Sequence, residues 1–219
     1  MITKNAAPKS DSFLAQGGIC VLRDEEDYQA FFEDTMKAGH YENNPQSVEI
    51  MIRSSQEVIG DLVSFGVNFE KDGEKFHYTR EGAHSKPRIL FHEDETGKEI
   101  TSHLLETART RSNITLIENF TMVDLICSDD QCTGIVGKDA DGNYLSIQAD
   151  YTVLATGGIG GLFKHSTNYR HLTGDAIALA VKYGIKLQHI DYIQIHPTTL
   201  YSKKDGREFL ISESVRGEG

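Results

Sequence analysis

The 219-residue chain is short of positive charge, of long apolar runs and of paired cysteines. With 22 basic residues against 33 acidic ones, its formal charge is −11 and its pI about 5.2. That balance argues against nucleic acid or an anionic membrane as the main partner, although local cations can still hold a small anion. No stretch approaches the roughly 18 apolar residues of a membrane helix. Residues 1–10 lack the apolar core of a signal peptide, so the chain reads as cytoplasmic. Cys20, Cys127 and Cys132 form no C-x-x-C pair, and their odd number reads as reduced structural thiols. The histidines are scattered without spacing such as H-E-x-x-H, and no metal site is expected.

What is present is an ordinary globular balance, 38% apolar and 25% charged, which excludes a disordered tail. Asp24 offers an N-cap for an amphipathic helix in which Tyr28, Phe31, Phe32 and Met36 recur at helical spacing until Gly39. A second helix is predicted from Asn44-Pro45 to Gly66, with Val48, Met51, Ile52, Ile59, Leu62 and Val63 on one face. Asp72-Gly73 signals a hairpin, and residues 79–87 that follow are polar and unperiodic, the kind of loop that carries function. A third helix, residues 96–111, shows Ile100, Leu104, Leu105 and Ala108 on one side.

Then the period changes. Residues 114–118, 122–127, 134–138 and 144–149 are short β-branched runs expected to form a small antiparallel meander. Residues 151–155 are expected to be a buried strand running into Thr156-Gly157-Gly158. A last helix starts near Gly174-Asp175, carries Ile177, Ala178, Ala180 and Val181, closes at Gly184 and leads into an extended segment, 185–196. The pattern is α/β with an antiparallel insertion.

Glycines after Val153-Leu154-Ala155 let the backbone approach a nucleotide at the carboxyl end of a strand, but a motif this short also describes a plain turn. Ala15-Gln16-Gly17-Gly18 is equally ambiguous by itself. Order is more specific. The chain reads Ser12-Phe13-Leu14-Ala15-Gln16-Gly17-Gly18, then Thr79-Arg80-Glu81-Gly82-Ala83-His84-Ser85, then the strand–glycine block. Thr173-Gly174-Asp175, His196-Pro197-Thr198 and Glu213-Ser214-Val215-Arg216-Gly217-Glu218-Gly219 follow. In that order the blocks resemble the succinate dehydrogenase/fumarate reductase flavoprotein superfamily along essentially the whole chain. The T-R-E-G-x-H-S block resembles its L-aspartate oxidase branch.

The resemblance implies a partial FAD-binding, Rossmann-like domain with an antiparallel meander over residues 1–189, and the start of an α+β substrate-capping domain over 190–219. It assigns Ser12, Phe13, Leu14, Ala15, Gln16, Gly17 and Gly18 to the flavin and pyrophosphate. Val123, Ala155, Thr156 and Gly157 fall to the adenosine half, and Asp175 to a further cofactor contact. His196 is implied to hold a substrate carboxylate, with Ser212, Glu213 and Arg216 on the substrate side and in a proton relay. Ser212 stands where threonine is usual and keeps the hydroxyl. Glu81 is implied to orient a substrate amine; without the resemblance it reads as a solvated loop carboxylate beside Arg80.

The implied activity is FAD-dependent oxidation of L-aspartate to iminoaspartate on the way to quinolinate and NAD. Electrons pass to oxygen or fumarate, and quinolinate synthase is a candidate partner. Covalent flavoprotein subunits of the superfamily carry a histidine four residues before the alanine of A-Q-G-G; here that position is Asp11, which implies non-covalent FAD. The family's G-x-G-x-x-G strand is expected to precede Met1, and its acid/base arginine to follow Gly219. Both ends therefore read as cut, and the stretch alone is expected to bind FAD poorly and be inactive. Two alternatives stay open: a succinate dehydrogenase or fumarate reductase flavoprotein, and a non-catalytic truncated remnant.

Overall fold

The computed structural model describes residues 1–128, 131–196, 198–202 and 206–211. Contacts gather residues Ser12–Thr110 into one unit, and Met1–Asp11 with Arg111–Leu210 into another.

In the first unit, helix α1 (Asp11–Leu14) leads to strand β1 (Ile19–Cys20) and a 3-10 turn at Glu25–Asp27. Asp24 caps that turn by accepting from the Asp27 N–H, and α2 (Tyr28–Ala38) continues from it. Gly39 ends α2, but at φ −88°; the left-handed residues are His40 and Tyr41. A Cβ at 39 would lie 1.9 Å from Asn43 Oδ1, so a larger residue there would have to displace the Asn43 side chain. Helix α3 (Pro45–Ser64) starts as expected, with the Ser47 N–H donating to Asn44 Oδ1 and proline in the first turn. Val48, Ile52, Ile59 and Leu62 are buried, whereas Met51 and Val63 lie off that stripe and are exposed. Each fully buried aliphatic side chain contributes about 1.5–3 kcal/mol, and Ile52, with no exposed surface, holds α3 against Phe31, Met36 and Leu22.

The predicted hairpin is β2 (Lys71–Asp72) against β3 (Lys75–Phe76), with Gly73 at φ +66° in the turn. Strand β4 (Ile89–Leu90) pairs antiparallel with β1, placing Ile19 opposite Leu90 and Cys20 opposite Ile89. Helix α4 (Thr96–Thr110) fully buries Thr96 and Gly97; on its expected apolar side Ile100 packs against the core of Val21, Ile59, Leu62 and Leu90, Leu105 and Ala108 are half-buried, and Leu104 is exposed.

In the other unit the meander has three strands, β5 (Thr121–Ser128), β6 (Gln131–Lys138) and β7 (Tyr144–Gln148). The first run of the expected four, residues 114–118, does not join it. Ile117 instead makes an isolated parallel bridge with Ile2, with Thr3 N donating to Ile117 O. Phe120, Leu125, Ile135 and Leu179 form the core, Leu179 coming from α5 (Asp175–Lys182). Gly174 enters α5 at φ +72°, a left-handed conformation that glycine adopts without strain. Val181, expected on the helix's apolar side, is exposed. A hairpin not foreseen from the sequence pairs β8 (Thr199–Leu200) with β9 (Phe209–Leu210).

The expected buried strand at 151–155 is overturned. These residues carry no strand, and Tyr151 and Val153 are 90% and 87% exposed. A strand exists by pairing, and none of the described strands pairs with this segment.

Candidate functional site

The A-Q-G-G loop is seated by close backbone approach. A Cβ on Gly18 would lie 2.2 Å from Ile89 Cγ2 and 2.4 Å from Leu90 O, so the loop enters β1 only with glycine there. At its other end the Gly97 N–H, in the first turn of α4, donates to Ala15 O at 2.8 Å. A Cβ on Gly97 would stand 2.2 Å from Ser12 O. A Cβ on Gly17 would stand 3.1 Å from Glu81 Oε1, so the half-buried carboxylate of the second motif lies against the first.

The loop bearing Glu81 is tied down along its length. Thr79 and Arg88 close its base, with Arg88 N donating to Thr79 O at 3.1 Å. Within it, His84 N donates to Glu81 O at 3.0 Å, and Glu81 N donates to His84 Nδ1 at 3.3 Å. Because Nδ1 accepts, a neutral His84 carries its proton on Nε2, which lies 3.3 Å from Cys20 Sγ. Burial pushes the Cys20 thiol up, against the lowering effect of Arg88, so the thiol stays protonated. Ser85 N and Oγ both donate to Asp34 Oδ2, at 2.8 and 2.7 Å.

Arg88 has no exposed surface. Its Nε and Nη2 grip Asp27 at 3.2 and 2.9 Å, Nη1 reaches Asp34 Oδ2 at 2.6 Å, and the guanidinium lies 4.9 Å from the Phe31 ring centre. Burial alone would raise the Asp34 pKa; the hydrogen bonds from Ser85 and Arg88 outweigh it and hold the carboxyl below its ordinary value. A cavity of about 470 Å³ in this unit is lined by Gly18, Cys20, Phe31, Asp34 and His84 among others.

The other unit has a cavity of about 680 Å³, within the range of small-molecule sites. Ala155, Thr156 and Asp175 line it, as do Lys4 and Thr173. Lys4 Nζ donates to Thr173 Oγ1 and to Asp175 Oδ2, each at 2.8 Å, and Thr173 Oγ1 donates to Asp175 Oδ1 at 2.6 Å. Burial pushes the Asp175 carboxyl up, and the hydrogen bonds from Lys4 and Thr173 more than reverse it, leaving the pKa lowered. Lys4, Thr173 and Asp175 thus form one linked polar cluster on the cavity wall. Val123 is 44% exposed on β5 and does not line the cavity; its neighbour Met122 does, as alternation along a strand requires. Gly157 sits at φ +72° just past the lining residues.

Asp11 has its carboxylate engaged by Asn168 Nδ2 and by Tyr169 N at 3.1 Å. His196 is half-buried, and its Nδ1 accepts from Thr198 N at 3.2 Å. That bond places the neutral ring's proton on Nε2. Ser212, Glu213 and Arg216 lie outside the described residues.

Sequence reasoning passed over Lys4, Gly97 and Arg88. Lys4 closes a T-K dipeptide that signals nothing alone, and Gly97 reads as an ordinary residue of a helix start. Arg88, two residues after Lys86, reads as a solvated charge. Among the described residues no group of side chains could hold a metal ion, and no helix is long and apolar enough to cross a membrane.

The glycine-seated loop of the one unit and the cavity with its Lys–Asp pair in the other are the features of each that bear on a bound cofactor. The FAD binding domain family matches residues 1–219, and the chain belongs to that family. L-aspartate oxidase of Clostridium perfringens is 50% identical over 100% of this chain and 50% of its own length. That of Clostridium acetobutylicum is 45% identical over 100% of this chain and 51% of its own. Among solved structures, E. coli quinol fumarate reductase superposes with a TM-score of 0.92 at 25% identity, covering 100% of this chain and 37% of that one. The chain thus spans about half the length of the curated relatives it matches.

Proposed function

We propose that this chain is the FAD-binding part of an enzyme that oxidises L-aspartate to iminoaspartate. FAD supplies the two-electron acceptor: a hydride leaves the substrate Cα, a proton leaves its amine, and a C=N bond forms. Residues 12–18 are assigned to the flavin and pyrophosphate, Val123, Ala155, Thr156 and Gly157 to the adenosine half, and Asp175, with Lys4, to a further contact. Residues 1–189 form the cofactor domain in this reading and 190–219 open a substrate cap. Asp11 in place of a histidine leaves FAD non-covalent. His196 binds a substrate carboxylate through Nε2–H, and Ser212, Glu213 and Arg216 serve the substrate side. The reoxidising acceptor is oxygen or fumarate. The product feeds quinolinate and NAD formation in the cytoplasm, with quinolinate synthase as a partner.

The observation that carries the reading is the seat of Glu81, whose carboxylate lies against Gly17 of the A-Q-G-G loop. Aspartate and succinate share both carboxylates and differ by one ammonium group, so a site for aspartate needs an anion beside the flavin loop and a site for succinate does not. Orientation against the flavin supplies much of the rate in such reactions. Glu81→Gln in the complete flavoprotein should lower kcat/KM for aspartate about ten- to hundred-fold, the loss of one charge-assisted hydrogen bond. Fumarate, which has no ammonium group, should be reduced nearly as before. Equal losses with both substrates, measured in parallel steady-state assays, would return the chain to the succinate dehydrogenase/fumarate reductase reading.

A further inference from the structure

We infer that the Asp27–Arg88–Asp34 cluster, in which Asp27 and Arg88 are buried and Asp34 half-buried, is a positioning device that fixes the Glu81 loop and thereby sets how well an aminated dicarboxylate is told from a plain one. The inference rests on the reading of Glu81 given above. It starts from a mismatch: Gly82, Ala83, Ser85, Lys86 and Pro87 are all exposed, yet the loop's last residue, Arg88, is wholly buried. An exposed loop of this kind has little apolar surface to hold it, so its order must come from hydrogen bonds.

Those bonds form a chain. Asp27, itself 2% exposed, fixes the Arg88 guanidinium in a two-point grip, and Phe31 packs beneath it. The remaining arm presents Nη1 to Asp34 on α2, and the same Oδ2 takes both donors of Ser85. One guanidinium between two carboxylates leaves a surplus negative charge, which Ser85 and the Lys86 ammonium, 3.8 Å from Asp27 Oδ1, offset. Asp34 is thus anchored by α2 on one side and committed to the loop on the other. Ser85 adjoins His84, whose ring accepts the Glu81 N–H and reaches Cys20. The path from α2 to Glu81 runs from Asp34 through Ser85 and His84, by hydrogen bonds within the protein. Arg88 and Asp34 are positioning residues, not catalytic ones.

Two variants separate this from a merely structural role. Asp34→Asn removes the charge that collects both Ser85 donors; Ser85→Ala is gentler and leaves the buried ion pair intact. In the complete flavoprotein each should lower kcat/KM for aspartate, chiefly through KM, by about three- to ten-fold, the loss of an ordinary hydrogen bond. Fumarate reduction should change by less than about two-fold, an expectation drawn from the same magnitude. Combined with Glu81→Gln, neither variant should add to the aspartate loss, because both act through that carboxylate. If Glu81→Gln is selective for aspartate while Asp34→Asn and Ser85→Ala affect both substrates alike, or add to it fully, the positioning role is refuted and the Glu81 reading survives. If Glu81→Gln is itself unselective, the proposed function fails instead. Amide exchange of residues 81–85 then tests the clamp directly: faster exchange in Asp34→Asn supports it, and unchanged exchange overturns it.

Discussion

Residues 79–88 are polar and include a side chain with no exposed surface, Arg88; residues 151–155 are apolar, yet Tyr151 and Val153 are 90% and 87% exposed. Between these two regions, burial follows partnership and not hydropathy. Arg88 is inside because two carboxylates and an aromatic ring meet it, which removes the cost of an unpaired buried charge. Residues 151–155 have the composition of a sheet interior, but no described strand offers their backbone a ladder.

The contrast breaks most visibly at Arg88. Arg88→Ala would leave the buried carboxylate of Asp27 and the half-buried one of Asp34 without the guanidinium between them, at a cost of about 3–5 kcal/mol. Urea denaturation monitored on this unit should show it, and a loss below about 1 kcal/mol would mean that water replaces the guanidinium. His196 tests a third region, since it ends the segment 185–196. His196→Ala in the complete flavoprotein should remove about 1.5–3 kcal/mol of transition-state binding for aspartate and fumarate alike, because both present a carboxylate. Unchanged kinetics with both would make His196 a structural residue.

Gly97→Ala probes how tightly the flavin loop is seated. The new Cβ has Ser12 O 2.2 Å away, and the backbone shift that relieves it should cost about 1–3 kcal/mol. Flavin titration of the variant should show weaker binding; full affinity would mean that the loop moves freely. Asp175→Asn is the mildest change, about 0–1 kcal/mol for a partly exposed pair with Lys4. The pKa of Asp175 is lowered in the folded state, so its contribution is present above the ordinary carboxylate range and lost as pH falls through the lowered value. The stability difference between the two proteins should therefore be present at pH 7 and shrink below about pH 4. A difference that persists unchanged in acid would show that the charge is not its source.

Much of the fold was legible because its signals are local. Asp24, Asn44 and Gly174 act within one helical turn of the residues they cap or introduce, and the stripe of Val48, Ile52, Ile59 and Leu62 follows from helical spacing. The order of the glycine-bearing motifs was equally plain, and it is what pointed to the flavoprotein superfamily. Where the reading failed, the missing information was pairing. Residues 114–118 look like the strands of the meander, but Ile117 bridges Ile2 instead, more than a hundred positions away in the chain. Leu104 and Val181 fit the apolar side of their helices and are exposed, because periodicity names a face without naming what covers it.

By itself, then, the sequence determined the four longer helices, the caps at Asp24 and Asn44, the hairpin at Asp72-Gly73 and the family. It also put the motif glycines and Glu81 among the candidates. Only the tertiary structure decided that Glu81 lies against Gly17, that Gly97 must be small because it meets Ser12 and Ala15, and that Lys4 reaches Asp175. Arg88 sits 61 residues from Asp27 and 54 from Asp34, separations at which no periodicity or capping rule connects them. Such contacts form only after loop closure brings distant helices and turns together, and a charge in the sequence carries no mark of whether a counter-charge will be waiting when it does.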